Sequence, residues 1–191
     1  MLKRLARYLV DKTRVQVEFQ YQCRVKEVTI FTETDFAGCA RTRKSTSGGV
    51  VMFGRHMIKS WSTTQNVVAL SSGEAEYYGL VKGGAMGIGF KNMMSEMGVA
   101  LRIRLKTDAS AAKGIASRRG MGKVRHIEVN QLWLQDKVAT GDIKVEKIDG
   151  VKNIADQLTK YVGREGIVFH MERTNQKIVT GRHLLMPNIT E

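Results

Sequence analysis

The sequence predicts an α/β fold in which helices flank one five-stranded mixed sheet. Short runs rich in β-branched and aromatic residues come first, and strands that alternate with helical segments follow. This order is typical of α/β layered domains, because later βα units extend an initial antiparallel meander. With 191 residues, 42% of them hydrophobic, the chain is long enough to bury one ordinary core.

The first half of the chain predicts three antiparallel strands and a long helix. Strands are expected over residues 27–33, 50–53 and 57–61, the last two forming a hairpin around Gly54. A helix follows from Glu74 to about residue 97, with Ser72 as its N-cap. Five glycines interrupt this helix, and each weakens an exposed helix by about 1 kcal/mol. The helix must therefore be held by packing or be loose.

The second half predicts two more strands, each followed by helical segments. Residues 101–107 alternate apolar and basic side chains, as a half-buried strand does, and end at Asp108. A short helix is expected over 109–117, and after a basic loop another helix runs through Trp133 and Val138. The fifth strand covers 142–148, and a last helix covers 153–160 with Asn153 as its cap. No motif is recognisable from about residue 162 onward.

The charge balance favours a polyanionic partner. Lys and Arg number 31 against 18 Asp and Glu, giving a net charge of +13 and a pI near 10.0. Nucleic acid and an anionic membrane surface both fit this balance. No run of about 18 apolar residues predicts a membrane span. Cys23 and Cys39 lack the spacing of a zinc site or a disulfide framework.

The opening residues 1–9 predict an amphipathic helix, because Leu2, Leu5 and Leu9 share one helical face. Such a basic segment is either an ordinary packing helix or a short transit peptide.

Acidic residues fall at the ends of predicted elements. Glu33 and Asp35 end the first strand, Glu76 opens the long helix, Asp108 ends the fourth strand, and Asp156 begins the last helix. Carboxylates gathered at one point repel one another unless divalent cations neutralise them, and Mg²⁺ prefers oxygen ligands. In a basic protein this pattern predicts a two-metal phosphodiester site. The alternative is that each acid caps a helix or forms a turn.

Several segments resemble the ribonuclease H domain at the end of the polyprotein of copia-type retrotransposons, and residues 2–9 resemble the tail of the preceding reverse transcriptase. Together the segments cover most of residues 1–160 in the family's order. They are Asp35-Phe36-Ala37-Gly38, Arg43-Lys44-Ser45-Thr46-Ser47-Gly48, Ser60-Trp61-Ser62 with Gln65, Ala69-Leu70-Ser71-Ser72 before Glu74-Ala75-Glu76-Tyr77, Thr107-Asp108, Arg125-His126-Ile127, and Ala155-Asp156 with Leu158-Thr159-Lys160.

The resemblance implies a ribonuclease H-like fold and cleavage of the RNA strand of RNA–DNA hybrids during reverse transcription. It also implies two Mg²⁺ or Mn²⁺ ions, held by an Asp-Glu-Asp-Asp set. Glu76, Asp108 and Asp156 match three of these catalytic ligands by motif. Glu33, longer by one methylene, stands where the family has its first Asp, and Asp35 is an alternative ligand.

Two interpretations of this departure stay open. The chain is either an active nuclease or an impaired copy that still binds nucleic acid. The glycine-rich helix, and Phe36 at a family Trp position, favour the impaired copy.

The resemblance also divides the chain. Residues 1–22 are expected to connect to a reverse transcriptase, residues 23–161 to form the ribonuclease H-like domain, and residues 162–191 to form a C-terminal tail. The expected partners are an RNA–DNA hybrid and the reverse transcriptase domain of the same polyprotein, without a membrane. An intracellular location is expected, in a cytoplasmic particle or the nucleus.

Two basic loops and a helix start are predicted to contact phosphates, or else to be solvated surface. Because a hybrid is recognised mainly by its shape and 2′-hydroxyls, the loops are expected to contact the backbone. His126 is either a proton shuttle beside Asp108 and Asp156 or a structural cap. The candidate nucleic-acid contacts are Arg41, Arg43, Lys44, Ser45, Thr46, Ser47, Ser72, Lys123, Arg125 and His126.

Overall fold

A computed structural model describes residues 2–10, 12, 14–122 and 126–181, with backbone only for four of them (2, 4, 5 and 130). Lys123 and Arg125, two predicted phosphate contacts, lie outside the described residues, as do residues 182–191 of the predicted tail. None of the described helices is both long and apolar enough to cross a membrane. The elements are α1 (Leu2–Leu9), β1 (Arg14–Val17), β2 (Glu27–Asp35), β3 (Thr46–Phe53), β4 (His56–Thr64), α2 (Ser72–Glu96), β5 (Arg102–Thr107), α3 (Ser110–Ser117), α4 (Trp133–Ala139), β6 (Ile143–Lys147), α5 (Arg164–Arg173) and β7 (Gln176–Val179).

Five strands form one mixed sheet in the order β4-β3-β2-β5-β6. β2, β5 and β6 are parallel to one another, and β3 runs antiparallel to β2 and β4. The predicted five-stranded mixed sheet is therefore confirmed. β1 and β7, which the sequence analysis did not predict, pair with each other in a separate two-stranded antiparallel sheet.

Helix α2 packs closely on β2 through glycines spaced four residues apart. A Cβ at Gly83 would lie 2.6 Å from Thr32 Cγ2, and a Cβ at Gly79 would lie 2.5 Å from Thr34 Oγ1. A Cβ at Gly87 would lie 2.9 Å from Ile103 Cγ2 on β5 and 3.0 Å from Ile30 Cδ1. Packing therefore holds this helix. Close packing explains the glycines at positions 79, 83 and 87, so these three do not by themselves indicate an impaired copy.

The N-cap of α2 is Ser71, one residue before the predicted Ser72. The Ser71 hydroxyl accepts a hydrogen bond from the Glu74 amide (3.2 Å), and the Ser71 carbonyl accepts one from the Ala75 amide (3.0 Å). Both serines have a suitable hydroxyl, and the backbone decides between them because Ser71 has the extended conformation that a cap requires.

Apolar layers cover both faces of the sheet. The larger layer contains Val28, Ile30, Leu80 and Leu105, between the sheet and helices α2 to α4. On the opposite face, Val50, Met52, Ile154 and Ala155 form a smaller buried cluster, and Phe169 of α5 packs against it. The residues after 162, for which the sequence offered no motif, thus contribute to the core.

The predicted helix over 153–160 is wrong. Two short 3-10 turns, Gly150–Lys152 and Asp156–Leu158, flank Asn153 instead. The side-chain amide of Asn153 donates to the Thr32 carbonyl (3.0 Å), and the Ser62 hydroxyl donates to the Leu158 carbonyl (2.6 Å). These bonds to β2 and β4 fix the segment to the sheet in place of a regular helix.

Candidate active site

Three of the four carboxylates assigned as ligands converge at one edge of the sheet. In the parallel pair β2–β5, Phe31 lies opposite Lys106, so Glu33 and Asp108, each two residues further on, lie near the carboxyl ends of these adjacent strands. Glu76 reaches them from the second turn of α2. One oxygen from each of Glu33, Glu76 and Asp108 lies within 4.8 Å of the others. We call these three residues the carboxylate cluster.

Glu76 is a buried acid of the cluster with only one of its two oxygens hydrogen-bonded among the described residues. Its Oε1 accepts a hydrogen bond from the Thr34 amide (3.1 Å), while its buried Oε2 has no hydrogen-bond partner among the described residues. Burial, followed by the negative charge of Glu33, raises the pKa of Glu76 to about 8. An orphaned carboxylate oxygen of this kind is satisfied by a bound cation.

Glu33 is buried and held by two donors. Its Oε1 accepts a hydrogen bond from Lys160 Nζ (2.7 Å), and its Oε2 accepts one from Asn153 Nδ2 (3.1 Å). Burial raises the pKa of Glu33 to about 7; Lys160 opposes this shift, and the charge of Asp108 adds to it. Two protein donors therefore hold the carboxylate of this first candidate ligand in place.

Asp156 lies beside the carboxylate cluster and is joined to it through Lys160. The ammonium of Lys160 donates to Asp156 Oδ1 (2.6 Å) as well as to Glu33. Burial lowers the pKa of Lys160, but its bonds to Asp156 and Glu33 outweigh that effect and raise it above its usual value.

The positioning roles of Asn153 and Lys160 have no local signal in the sequence. Asn153 was recognised only as a helix cap, although its amide reaches across to β2. Lys160 was visible only as the end of the Leu158-Thr159-Lys160 segment. Nothing in the local pattern links either residue to Glu33, which lies at least 120 positions earlier in the chain.

Asp35, the alternative ligand, has a different contact. Its Oδ1 accepts a hydrogen bond from the Thr46 amide, and its carboxylate lies against Gly38, where a Cβ would be 1.8 Å from Oδ2. Asp35 therefore closes the loop between β2 and β3 and lies outside the carboxylate cluster.

The first basic loop, residues 41–49, has exposed cations and buried hydroxyls. Arg41 and Arg43 are exposed, and Lys44 and Thr46 are half-buried. Ser45 and Ser47 are buried: Ser45 Oγ accepts from the Ala37 amide (3.0 Å), and Ser47 Oγ accepts from Gln65 Nε2 (2.8 Å). The hydroxyls of these two serines, predicted to contact phosphates, have partners within the protein. Ser72, at the start of α2, is exposed.

His126 pairs with a buried acid at the start of α2. Its Nε2 lies 2.6 Å from Glu74 Oε2, which also accepts from the Leu70 amide (2.8 Å). The hydroxyl of Tyr78 donates to the other Glu74 oxygen (3.0 Å). This contact ties His126 to α2, and the choice between a proton shuttle and a structural cap stays a prediction.

The carboxylate cluster fits a hard divalent cation. It supplies three carboxylates, one of them with an orphaned buried oxygen, and two of the acids have pKa values raised by burial and mutual repulsion. A cation favours the ionised form of each acid, so binding relieves the repulsion. Metal-assisted hydrolysis of a phosphodiester is the chemistry such a site supports.

Comparisons with known proteins yield relatives among transposon polyproteins, while no family model matches the chain. The retrovirus-related Pol polyprotein from transposon TNT 1-94 of Nicotiana tabacum is 33% identical over 136 residues, covering 70% of this chain and 10% of the polyprotein. The corresponding polyprotein from transposon RE1 of Arabidopsis thaliana is 25% identical over 166 residues, covering 85% of this chain and 11% of the polyprotein. The chain thus spans about a tenth of the length of these relatives.

Among solved structures, an N-terminal ribonuclease H domain from Mycobacterium tuberculosis, determined as a fusion with maltose-binding protein, has a TM-score of 0.50 at 19% identity. The match covers 78% of this chain and 97% of that chain. The shared feature is the fold, in which helices flank a five-stranded mixed sheet.

Proposed function

We propose that this chain, which belongs to the ribonuclease H domains of copia-type retrotransposon Pol polyproteins, hydrolyses the RNA strand of RNA–DNA hybrids during reverse transcription. The observation that carries the proposal is the convergence of Glu33, Glu76 and Asp108 at one edge of the sheet. Buried acids with strongly raised pKa values are typical of catalytic centres.

The proposed cofactor is a pair of Mg²⁺ or Mn²⁺ ions, held by the carboxylate cluster with Asp156 as a fourth ligand. When bound, such ions generate a nucleophile from water and stabilise the leaving oxygen of a phosphodiester. The protein positions the ligands: Thr34 orients Glu76 through its amide, and Asn153 orients Glu33. Catalytic geometry is needed to within about 0.5 Å, so these supporting bonds matter as much as the ligands.

The exposed cations of the first basic loop are proposed to bind the hybrid backbone. Arg41 and Arg43 lie in the loop that joins β2, which carries Glu33, to β3. Contacts of this kind give affinity without reading sequence, and they weaken as salt rises. We also propose that residues 1–22 connect this domain to the reverse transcriptase of the same polyprotein.

The test is cleavage of a labelled RNA–DNA hybrid with Mg²⁺ or Mn²⁺ by the parent, Glu33→Asp and Asp108→Asn, with duplex DNA as the control substrate. We expect the parent to cut only the RNA strand and Asp108→Asn to lose at least about 100-fold in rate, because a neutral amide binds a divalent cation more weakly than a carboxylate does. Silence in all three proteins, with folding verified by circular dichroism, would contradict the nuclease.

A second candidate is an impaired copy that binds hybrids without cutting them. The observation that favours it is the contact of Glu33 with Lys160: the side chain at the position of the family Asp is already bound to a cation. A silent parent that Glu33→Asp makes active, together with hybrid binding that weakens steeply with salt, would establish this candidate.

A further inference from the structure

We propose that Lys160 is a built-in counterion that occupies the space between Glu33 and Asp156 and must be displaced before a divalent cation can bind this pair. The inference rests on the proposed metal site and concerns how that site is loaded. It assigns to Lys160 a role in metal affinity, beyond a structural ion pair.

The position of the ammonium supports this role. One Nζ atom donates to Glu33 Oε1 at 2.7 Å and to Asp156 Oδ1 at 2.6 Å, so it bridges acids from two separate elements. Asn153 occupies the other oxygen of Glu33. Both Glu33 oxygens are therefore engaged by protein donors, and a cation that bridges Glu33 Oε1 and Asp156 Oδ1 competes with Lys160 for the position between them.

The sheet fixes the segment that carries Lys160. A Cβ at Gly48 would lie 2.8 Å from Leu158 Cβ and 2.9 Å from Thr159 Cγ2, so only glycine allows this close approach. Gly48 is the β3 partner of Glu33, which places the segment beside Glu33. The bond from Ser62 to the Leu158 carbonyl adds a second attachment. The ammonium thus reaches the acids from a backbone fixed on the sheet.

The side chain of Lys160 can also leave. It is 48% exposed, whereas that of Glu33 is 3% exposed. A long flexible lysine can move its ammonium into solvent, while the buried glutamate stays in place. Competition between Lys160 and a divalent cation for Glu33 and Asp156 follows, and it weakens the apparent metal affinity of the parent.

The experiment is calorimetric titration of Mn²⁺ into the parent, Lys160→Met and Lys160→Arg, with Lys59→Met as the matched control. Lys59 is exposed on β4, and its replacement changes the net charge by the same amount. We expect Lys160→Met to lower the Kd for Mn²⁺ by about tenfold, a modest coupling between two sites. Lys160→Arg, which keeps a cation, and Lys59→Met should stay near the parental Kd.

Thermal unfolding separates this role from a purely structural one. Without metal, Lys160→Met should melt at a lower temperature than the parent, because Glu33 and Asp156 then repel each other, and Mn²⁺ should raise its melting temperature more. A lower melting temperature with an unchanged Kd would overturn the inference and leave Lys160 a structural ion pair. Absence of Mn²⁺ binding in every variant would instead remove the metal site itself, and the inference with it.

Discussion

Glu33 and Glu76 are acids that hold protons to unusually high pH. Burial raises their pKa values to about 7 and about 8, from a usual value of 4.5. Between pH 4.5 and about pH 8, the native state therefore binds more protons than the unfolded state. Their contribution to stability is complete below pH 4.5 and is lost as the pH rises through 7 and 8.

The free energy of unfolding should accordingly fall from about pH 5 to about pH 8 when divalent ions are removed by a chelator. Urea denaturation at a series of pH values measures this. Glu76→Gln stays neutral at every pH, so it should flatten the decline. Mn²⁺ should restore stability mainly at the high-pH end, where the acids are ionised. A parent that became more stable over this range would show that other groups dominate.

At the scale of single elements, the glycines of α2 differ in effect between the two faces of the helix. Those that face the sheet allow close packing, whereas an exposed glycine only weakens the helix. Gly83 is buried against Thr32 of β2, whereas Gly89 is exposed and a Cβ there would meet no described atom within 4 Å beyond the neighbouring backbone of the helix. Replacing each of these glycines by alanine therefore separates the effect of helix propensity from the effect of packing against the sheet.

Gly89→Ala should stabilise the protein by about 0.5–1 kcal/mol, because alanine loses less backbone entropy in a helix. Gly83→Ala should destabilise it by about 1–3 kcal/mol, since the added methyl pushes the helix away from the sheet. Urea unfolding of both variants measures the two values. Two stabilising substitutions would mean that α2 is not closely packed on β2 at Gly83.

Gly83→Ala should also reduce metal affinity, whereas Gly89→Ala should not. Glu76 is on the same helix as Gly83, and a displaced α2 carries that ligand away from Glu33 and Asp108. The geometry of the carboxylate cluster therefore depends on how closely α2 packs on the sheet.

For the whole molecule, the folded unit extends beyond residue 161. The resemblance placed the end of the domain at residue 161, but α5 and β7 lie beyond it, with Phe169 against the second core cluster and β7 paired with β1. A chain of residues 1–161 loses both contacts.

We expect that chain to melt at a clearly lower temperature than a chain of residues 1–181, because it exposes the apolar cluster around Val50 and Ile154. Differential scanning calorimetry of the two chains makes the comparison. Equal melting temperatures would place the boundary at 161 and make α5 an appendage.

The sequence by itself determined the elements whose patterns are local. The alternating run before Asp108 and the β-rich run ending in Glu33 specify their own strands, and the ordered motifs pointed to the fold and to the acids at element ends. The order of the strands along the chain was enough to predict that these acids lie close together. Parallel neighbouring strands bring their carboxyl ends to the same edge of the sheet.

Only the tertiary structure decided what depends on distant contacts. Asn153 and Lys160 acquire their roles from Glu33, more than a hundred residues away, and the predicted helix over 153–160 gave way to turns bound to the sheet. The glycines of α2 weaken a helix when judged by sequence alone, but in the structure Gly83 and Gly79 pack against Thr32 and Thr34 of β2. A local pattern records the preferences of a segment, whereas the partner that overrides or uses those preferences is set by the packing of the whole chain.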